Sequence, residues 1–184
     1  MPDVLVIGDG PGGLSAALFL AKNGLDVVVV GEDKTAMHWA LLKNYLGITE
    51  MLGSEFQKVA RAQVEALGAK IRSVHVESVT KDGSAFKATL TGGESVSAKY
   101  LVLSEGRTPR IAKQLGLVFD EAKGIATDRD ARTSIDGVYV VGREARPARS
   151  QAIISAGDGA AAALDILSRE KGKDFADWDE PPKA

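Results

Sequence analysis

The chain has 184 residues, 45% of them hydrophobic and 26% charged, the proportions of a globular protein and not of a disordered or membrane-embedded one. Its 23 basic and 25 acidic residues leave a formal charge of −2, which argues against a nucleic-acid or anionic-lipid surface as main partner. It contains no cysteine and 2 histidines, which removes dithiol exchange, a cysteine nucleophile, thiolate-ligated zinc and iron–sulfur clusters, and leaves too few histidines for the usual catalytic zinc sets.

The pattern alternates strand and helix from the start. Val4–Ile7 reads as a short apolar strand that breaks at Gly8, and Gly12–Asn23 as a helix with Leu14, Ala17, Leu18 and Ala21 on one face, closed by Gly24. No basic-then-apolar leader precedes the strand and no apolar run approaches the roughly 20 residues of a membrane span, so the expected compartment is the cytoplasm. Val27–Val30 has no polar alternation, as in a strand covered on both faces. Thr35–Gly53 reads as irregular, with a turn at Asn44-Tyr45-Leu46-Gly47. A second helix is predicted from Ser54, with Gln57 completing a capping box and Phe56, Val59, Ala60, Val64 and Leu67 forming its apolar face.

Ile71–Val79, Ala85–Leu90 and Ser95–Ala98 alternate apolar and polar residues around glycine turns and predict an antiparallel meander. Tyr100–Leu103 and Val138–Val141 then read as buried strands, and Gln151–Lys171 as a long closing helix. The fold class that follows is α/β: a Rossmann-like domain with a parallel central sheet, helices and a small antiparallel meander.

The chemistry concentrates in Gly8-Asp9-Gly10-Pro11-Gly12-Gly13. A G-x-G-x-x-G between strand and helix suits a dinucleotide pyrophosphate: Gly8 permits the turn, Gly10 lets backbone approach phosphate, and Gly13 lets helix and strand pack closely. The first N–H groups of the helix then face the anion. A purely structural βα turn is the plainer alternative.

A second segment supports the nucleotide reading. Thr133-Ser134-Ile135-Asp136-Gly137-Val138-Tyr139-Val140-Val141-Gly142, followed by Ser150-Gln151-Ala152-Ile153-Ile154-Ser155-Ala156-Gly157, resembles the second flavin fingerprint of low-molecular-weight thioredoxin reductases, within the pyridine nucleotide–disulfide oxidoreductases. The resemblance runs from Pro2 to about Gly172 and implies an FAD-binding domain over residues 1–172 with a C-terminal tail over 173–184. Tyr100–Gly106 leads almost directly to Leu115–Asp120, as if the NADPH domain and its Cys-x-x-Cys pair had been omitted; the chain is similar to smaller relatives that keep the FAD domain alone.

The resemblance implies FAD contacts from Gly8, Gly10, Pro11, Gly12, Gly13, Gly31, Glu32, Asp33, Asn44, Val76, Gly106, Gly142, Arg143, Ser150, Gln151 and Ala152. Several positions depart from the family pattern. Gly31 stands where an acid usually faces the adenosine ribose, with Glu32 and Asp33 next in line to reach the same hydroxyls. Ser104-Glu105-Gly106 replaces the A-T-G turn. Gly142-Arg143 replaces Gly-Asp, with Arg143 expected to meet pyrophosphate or Glu105, and Ser150 replaces an arginine. The Gly-Gly-Gln that usually follows the second strand gives way to a loop with Met37-His38-Trp39.

Other residues have two readings. Asn44 touches flavin or caps a turn; Gly157 and Gly159 serve flavin or helix–sheet packing; His75 reads as a partly exposed strand residue before an acid–base group. Trp39 stacks on a ring or covers its loop, and Phe175 and Trp178 dock or fray with the tail. No catalytic side chain is nominated. The expected function is an FAD-dependent oxidoreductase or electron carrier served by an external donor, NAD(P)H or a redox protein, with the α-helix at Gln151–Ala152 favouring negative charge on the ring. The alternative is a non-catalytic dinucleotide-binding sensor or assembly module. A homodimer is expected, with contacts from Met37, Trp39, Leu41, Leu42, Tyr45, Leu46, Ile48 and Met51.

Overall fold

A computed structural model describes residues 1–182; Lys183 and Ala184, the end of the expected tail, lie outside the described residues. In chain order the elements are β1 (Val4–Ile7), α1 (Pro11–Lys22), β2 (Val27–Val30), β3 (Leu41–Leu42), β4 (Met51–Leu52), α2 (Gly53–Ala66), β5 (Lys70–Arg72), β6 (Val76–Asp82), β7 (Ala85–Leu90), β8 (Ser95–Ala98), β9 (Tyr100–Leu103), α3 (Arg110–Gln114), β10 (Phe119–Asp120), β11 (Gly124–Ile125), β12 (Val138–Val140) and α4 (Ala152–Lys171). The central sheet has the order β12-β9-β1-β2-β5, and every neighbouring pair in it is parallel.

Alternation along these strands builds three layers. Val4 and Val6 face α1 and α4 with Val27, Val29 and Val102, while Leu5 and Ile7 face the β6-β7-β8 meander and α3 with Val28, Leu101 and Leu103. Both faces are covered, which is why β1, β2 and β9 are apolar at every position and buried throughout. In the middle of β12, Tyr139 donates its hydroxyl to Asp165 on α4 at 2.6 Å, and Arg132 Nε donates to the same carboxylate at 2.8 Å. Burial opposes ionisation of Asp165, but the two donors together outweigh it and lower its pKa, so a charge-assisted buried link ties the sheet to α4.

Four expectations are corrected. The segment Ile71–Val79 is not one strand: Lys70–Arg72 joins the parallel sheet beside β2, and the chain breaks at Ser73–His75 before the meander begins. An edge strand of three residues needs little apolar content, so its pattern merged with the meander. The capping box at Ser54 and Gln57 does not form: α2 begins at Gly53 without a side-chain cap, because Gln57 turns inward and donates Nε2 to the Asp9 carbonyl at 2.5 Å. Val59 lies on the exposed side of α2 and Leu67, just past its end, is exposed too, while the buried face carries Gly53, Gln57 and Val64. The region expected to be irregular holds a 3₁₀ turn (Ala36–Trp39) and the β3–β4 hairpin.

Gly172 ends α4 in the left-handed region at φ +65°. From there the tail folds back: Phe175 packs on the core, its N–H donates to Ser168 Oγ at 3.0 Å, and Lys22 pairs with Asp177 at 3.0 Å and with Asp179. Trp178 stays 83% exposed, so the tail docks through Phe175 and its acids and not through that indole.

Candidate dinucleotide site

The C-terminal ends of β1, β9 and β12 converge where the chain, having built the sheet outward through β2 and β5, returns to the other side of β1. Ligands of open α/β sheets settle in the crevice at such a reversal. Gly8 has φ +101°, and a Cβ there would lie 2.1 Å from the Ser104 carbonyl oxygen, so both conformation and contact demand glycine. A Cβ on Gly13 would fall 2.1 Å from the Gly8 carbonyl oxygen, and the Gly13 N–H donates to Ser104 Oγ at 3.2 Å.

Gly10 differs. Its φ is −75° and a Cβ would meet only Thr35 Oγ1, at an ordinary 3.5 Å. Nothing within the fold requires glycine there; its missing side chain keeps the space in front of α1 open. Pro11 occupies the first turn, and Gly10 offers no side-chain cap, so the leading N–H of Gly12 points outward without an intrahelical partner.

α4 starts the same way. Gln151 is its N-cap and makes no side-chain cap bond, leaving the N–H groups of Ala152, Ile153 and Ile154 without intrahelical partners. Gln151 is instead held by Asn44, whose Nδ2 donates to Gln151 Oε1 at 2.8 Å, joining the hairpin turn to the start of α4. The two helices touch at backbone distance: a Cβ on Gly159 would sit 2.1 Å from the Gly12 carbonyl oxygen. Gly159 therefore serves helix–helix packing, not the expected helix–sheet packing, and Gly157 is exposed with nothing within 4 Å of its Cβ position. Gly142, at φ +74°, closes β12 against Ser155 of α4. Two uncapped helix N-termini thus share one edge of the sheet, each with donors and a positive dipole end.

The acids expected after β2 both have side-chain partners within the fold. Glu32 is exposed and pairs with Lys34 at 2.8 Å and with His75 at 3.2 Å. Asp33, at φ +54°, has His38 Nε2 within 3.0 Å of its carboxylate. His75 is in the β5–β6 loop and not in a strand, where its ring meets Glu32. Val76 opens β6 and is buried, its carbonyl accepting from Arg110. Trp39 is 83% exposed and covers nothing. Ser150 precedes the N-cap of α4.

Arg143 does not bridge to Glu105. The Glu105 carboxylate turns to the start of α3 and accepts from the N–H groups of Ile111 at 2.8 Å and Ala112 at 3.3 Å. Arg143 instead lines a cleft of about 240 Å³ with Gly106, Arg107, Phe119, Glu121 and Pro147. The residue after it, Glu144, is fully buried: Oε1 accepts from the Glu105 N–H at 2.8 Å, and Oε2 has no hydrogen-bond partner among the described residues. Burial, then the nearby Glu105 charge, push its pKa well above the ordinary value of 4.5. Burial likewise raises Glu105, against the pull of its backbone donors.

This fixes a pH dependence. Between pH 4.5 and its raised folded value, Glu144 holds its proton in the native state and loses it on unfolding, so it subtracts stability as pH rises, by at most about 1.4 kcal/mol per pH unit. Glu144→Gln keeps an acceptor for the Glu105 N–H. The difference in urea midpoint between the variant and the wild type should grow in favour of the variant from pH 5 to pH 8; parallel curves would contradict the buried acid.

Sequence reasoning missed Asp9, Thr35, Gln57, Arg61 and Glu144 at this site. Asp9 is buried and receives Arg61 from α2, 52 residues away, a pairing that no local spacing announces.

The model of the pyridine nucleotide-disulphide oxidoreductase family matches residues 2–47 and 40–159. The chain belongs to this family. Among curated relatives, the bifunctional thioredoxin reductase/thioredoxin of Mycobacterium leprae is 28% identical over 173 residues, covering 91% of this chain and 35% of that protein. The thioredoxin reductase of Chlamydia pneumoniae is 30% identical over 168 residues, covering 89% of this chain and 50% of that one. The chain thus spans half or less of the length of these relatives. In fold it is similar to a thioredoxin reductase from Gloeobacter violaceus, with a TM-score of 0.85 at 18% identity over 97% of this chain and 99% of that one. It is also similar to the atypical thioredoxin reductase of Desulfovibrio vulgaris Hildenborough, with a TM-score of 0.84 at 18% identity over 94% and 99% of the two chains.

Members of this family are FAD-binding flavoproteins, and FAD is the cofactor the family implies for this chain. The observations on this chain fit that group: a glycine turn open only at Gly10, and two uncapped helix N-termini, that of α1 packed at Gly12 against Ser155 and Gly159 of α4.

Proposed function

We propose that this chain is a cytoplasmic FAD-dependent oxidoreductase or electron carrier that works without a dithiol of its own and receives electrons from an external donor, NAD(P)H or a redox protein. The observation that carries the reading is the convergence of the α1 and α4 N-termini at one edge of the sheet. FAD supplies reversible redox chemistry when bound; the chain supplies position and field. Backbone N–H groups at Gly12 favour pyrophosphate, and those at Ala152–Ile154 favour negative charge on the far part of the cofactor. Arg143 and Gly106 line one cleft, Gly142 meets Ser155 of α4, and Asn44 holds Gln151 at the start of α4.

Dimerisation is part of the proposal. Met37 and Leu42 are buried within the domain, but Trp39, Leu41, Leu46 and Leu52 are at least half exposed around the β3–β4 hairpin. A two-fold partner on this face would cover them, which supports pairing through the hairpin.

The second reading, a dinucleotide-binding module without efficient redox chemistry, draws on Ser104-Glu105-Gly106 and Gly142-Arg143, where the chain departs from the family pattern. One set of assays separates the two. The FAD-loaded chain should be reduced by dithionite and reoxidised by an artificial acceptor over repeated cycles, yet show no NADPH-dependent reduction of thioredoxin or a disulfide dye. Turnover of the disulfide by the chain alone would refute the dithiol-free reading, and failure to cycle would favour the module. Light scattering that gives the monomer mass at micromolar concentration, with and without FAD, would refute the dimer.

A further inference from the structure

Asp9 and Gly31 exclude one another's alternatives. A Cβ built on Gly31 would lie 2.4 Å from Asp9 Cγ and 2.5 Å from its Oδ1, so the Asp9 carboxylate fills the volume where a side chain at the end of β2 would begin. The Asp9 side chain is 6% exposed. Its Oδ2 accepts from the Asp33 N–H at 3.0 Å and from Arg61 Nη1, which fixes the plane of the carboxylate. Its Oδ1 accepts no hydrogen bond among the described residues and retains contact with solvent.

The neighbouring acids do not compete for the same task. Glu32 is turned to Lys34 and His75, and the Asp33 side chain to His38. A carboxylate between Gly8 and Gly10 would repel a pyrophosphate unless neutralised, and Arg61 neutralises it. We propose that Asp9, from within the glycine turn, supplies the carboxylate that accepts from the adenosine ribose hydroxyls of the dinucleotide, in place of the side chain that Gly31 lacks, with Arg61 as its positioning partner. The inference rests on the dinucleotide reading of the site. A buried, pre-oriented acceptor fits a vicinal diol and no phosphate, so the recognised group is an unmodified ribose.

The reciprocal clash gives the test. FAD affinity is measured by quenching of its fluorescence, and ADP and 2′-deoxy-ADP are compared as competitors, for wild type, Asp9→Asn, Gly31→Glu and the double variant Asp9→Ala/Gly31→Glu, with a urea midpoint for each. Asp9→Asn should bind FAD about tenfold or more weaker and lose the preference for ADP over 2′-deoxy-ADP. Gly31→Glu alone should lose binding by steric conflict with Asp9. The double variant, which moves the acid to the end of β2, should recover affinity to within a few-fold of wild type. Asp9→Asn with wild-type affinity and preference, or a double variant no better than Gly31→Glu, overturns the role of Asp9 while leaving the site intact. A wild type that binds neither FAD nor ADP overturns the dinucleotide reading and this inference with it.

Discussion

Gly10→Val is expected to fold as well as the wild type and to lose FAD. The backbone at Gly10 is extended, with φ −75° and ψ −179°, a conformation valine adopts without strain, and the nearest atom to a new Cβ is Thr35 Oγ1 at 3.5 Å. The urea midpoint should therefore move by no more than about 0.5 kcal/mol in stability. The branched side chain would stand in front of the α1 N-terminus, where backbone must approach pyrophosphate, and affinity should fall at least about a hundredfold. FAD titration beside urea unfolding checks both halves. Binding at wild-type affinity would mean that the glycine turn is a structural βα turn and nothing more.

Gly159→Leu should do the reverse and damage the fold itself. A Cβ at 159 would meet the Gly12 carbonyl oxygen at 2.1 Å and the Ala16 nitrogen at 3.0 Å, and both are main-chain atoms of α1 that no rotamer change can move. The two helices would have to part along the Gly12–Gly159 contact, at a cost of about 4 kcal/mol or more, a large share of the stability of a domain this size. Little cooperative unfolding transition should remain at 25 °C. Gly157→Ala is the control: its Cβ site has nothing within 4 Å, and a helical Ala in place of Gly should add about 0.5–1 kcal/mol in the cofactor-free chain. Equal effects at the two positions would contradict the helix–helix contact.

These contrasts show which parts of the molecule a sequence displays. β1, β2 and β9 are short apolar runs because both faces of the sheet are covered, and that makes them readable without structural information. The glycines that end or begin elements announced α1, its turn and α4 for the same reason, since backbone sterics are local. β5 was not readable, because Lys70-Ile71-Arg72 is an edge strand with one apolar residue, nor was the β3–β4 hairpin, two residues to a strand.

At the site, the family pattern pointed to the turn and the α4 N-terminus, and to Glu32 or Asp33 for the missing acid. Asp9, proposed above for that role, makes contacts with Gly31, Asp33 and Arg61 that span 22, 24 and 52 residues, beyond the reach of any local pattern. Gln57 resembled a capping residue because its spacing from Ser54 was right, and only the packed core shows it donating to Asp9. Glu144 carries no sequence signal of burial at all, being a charged residue type that is seldom enclosed without a partner.

The visible spectrum of the purified chain, reconstituted with flavin and freed of excess, tests the central claim most directly. The site described here predicts a flavin absorption spectrum at about one chromophore per chain, with the released chromophore chromatographing as FAD after denaturation. A colourless protein that takes up no FAD, or one that retains FMN and FAD equally and so gains nothing from the adenosine half, would contradict it.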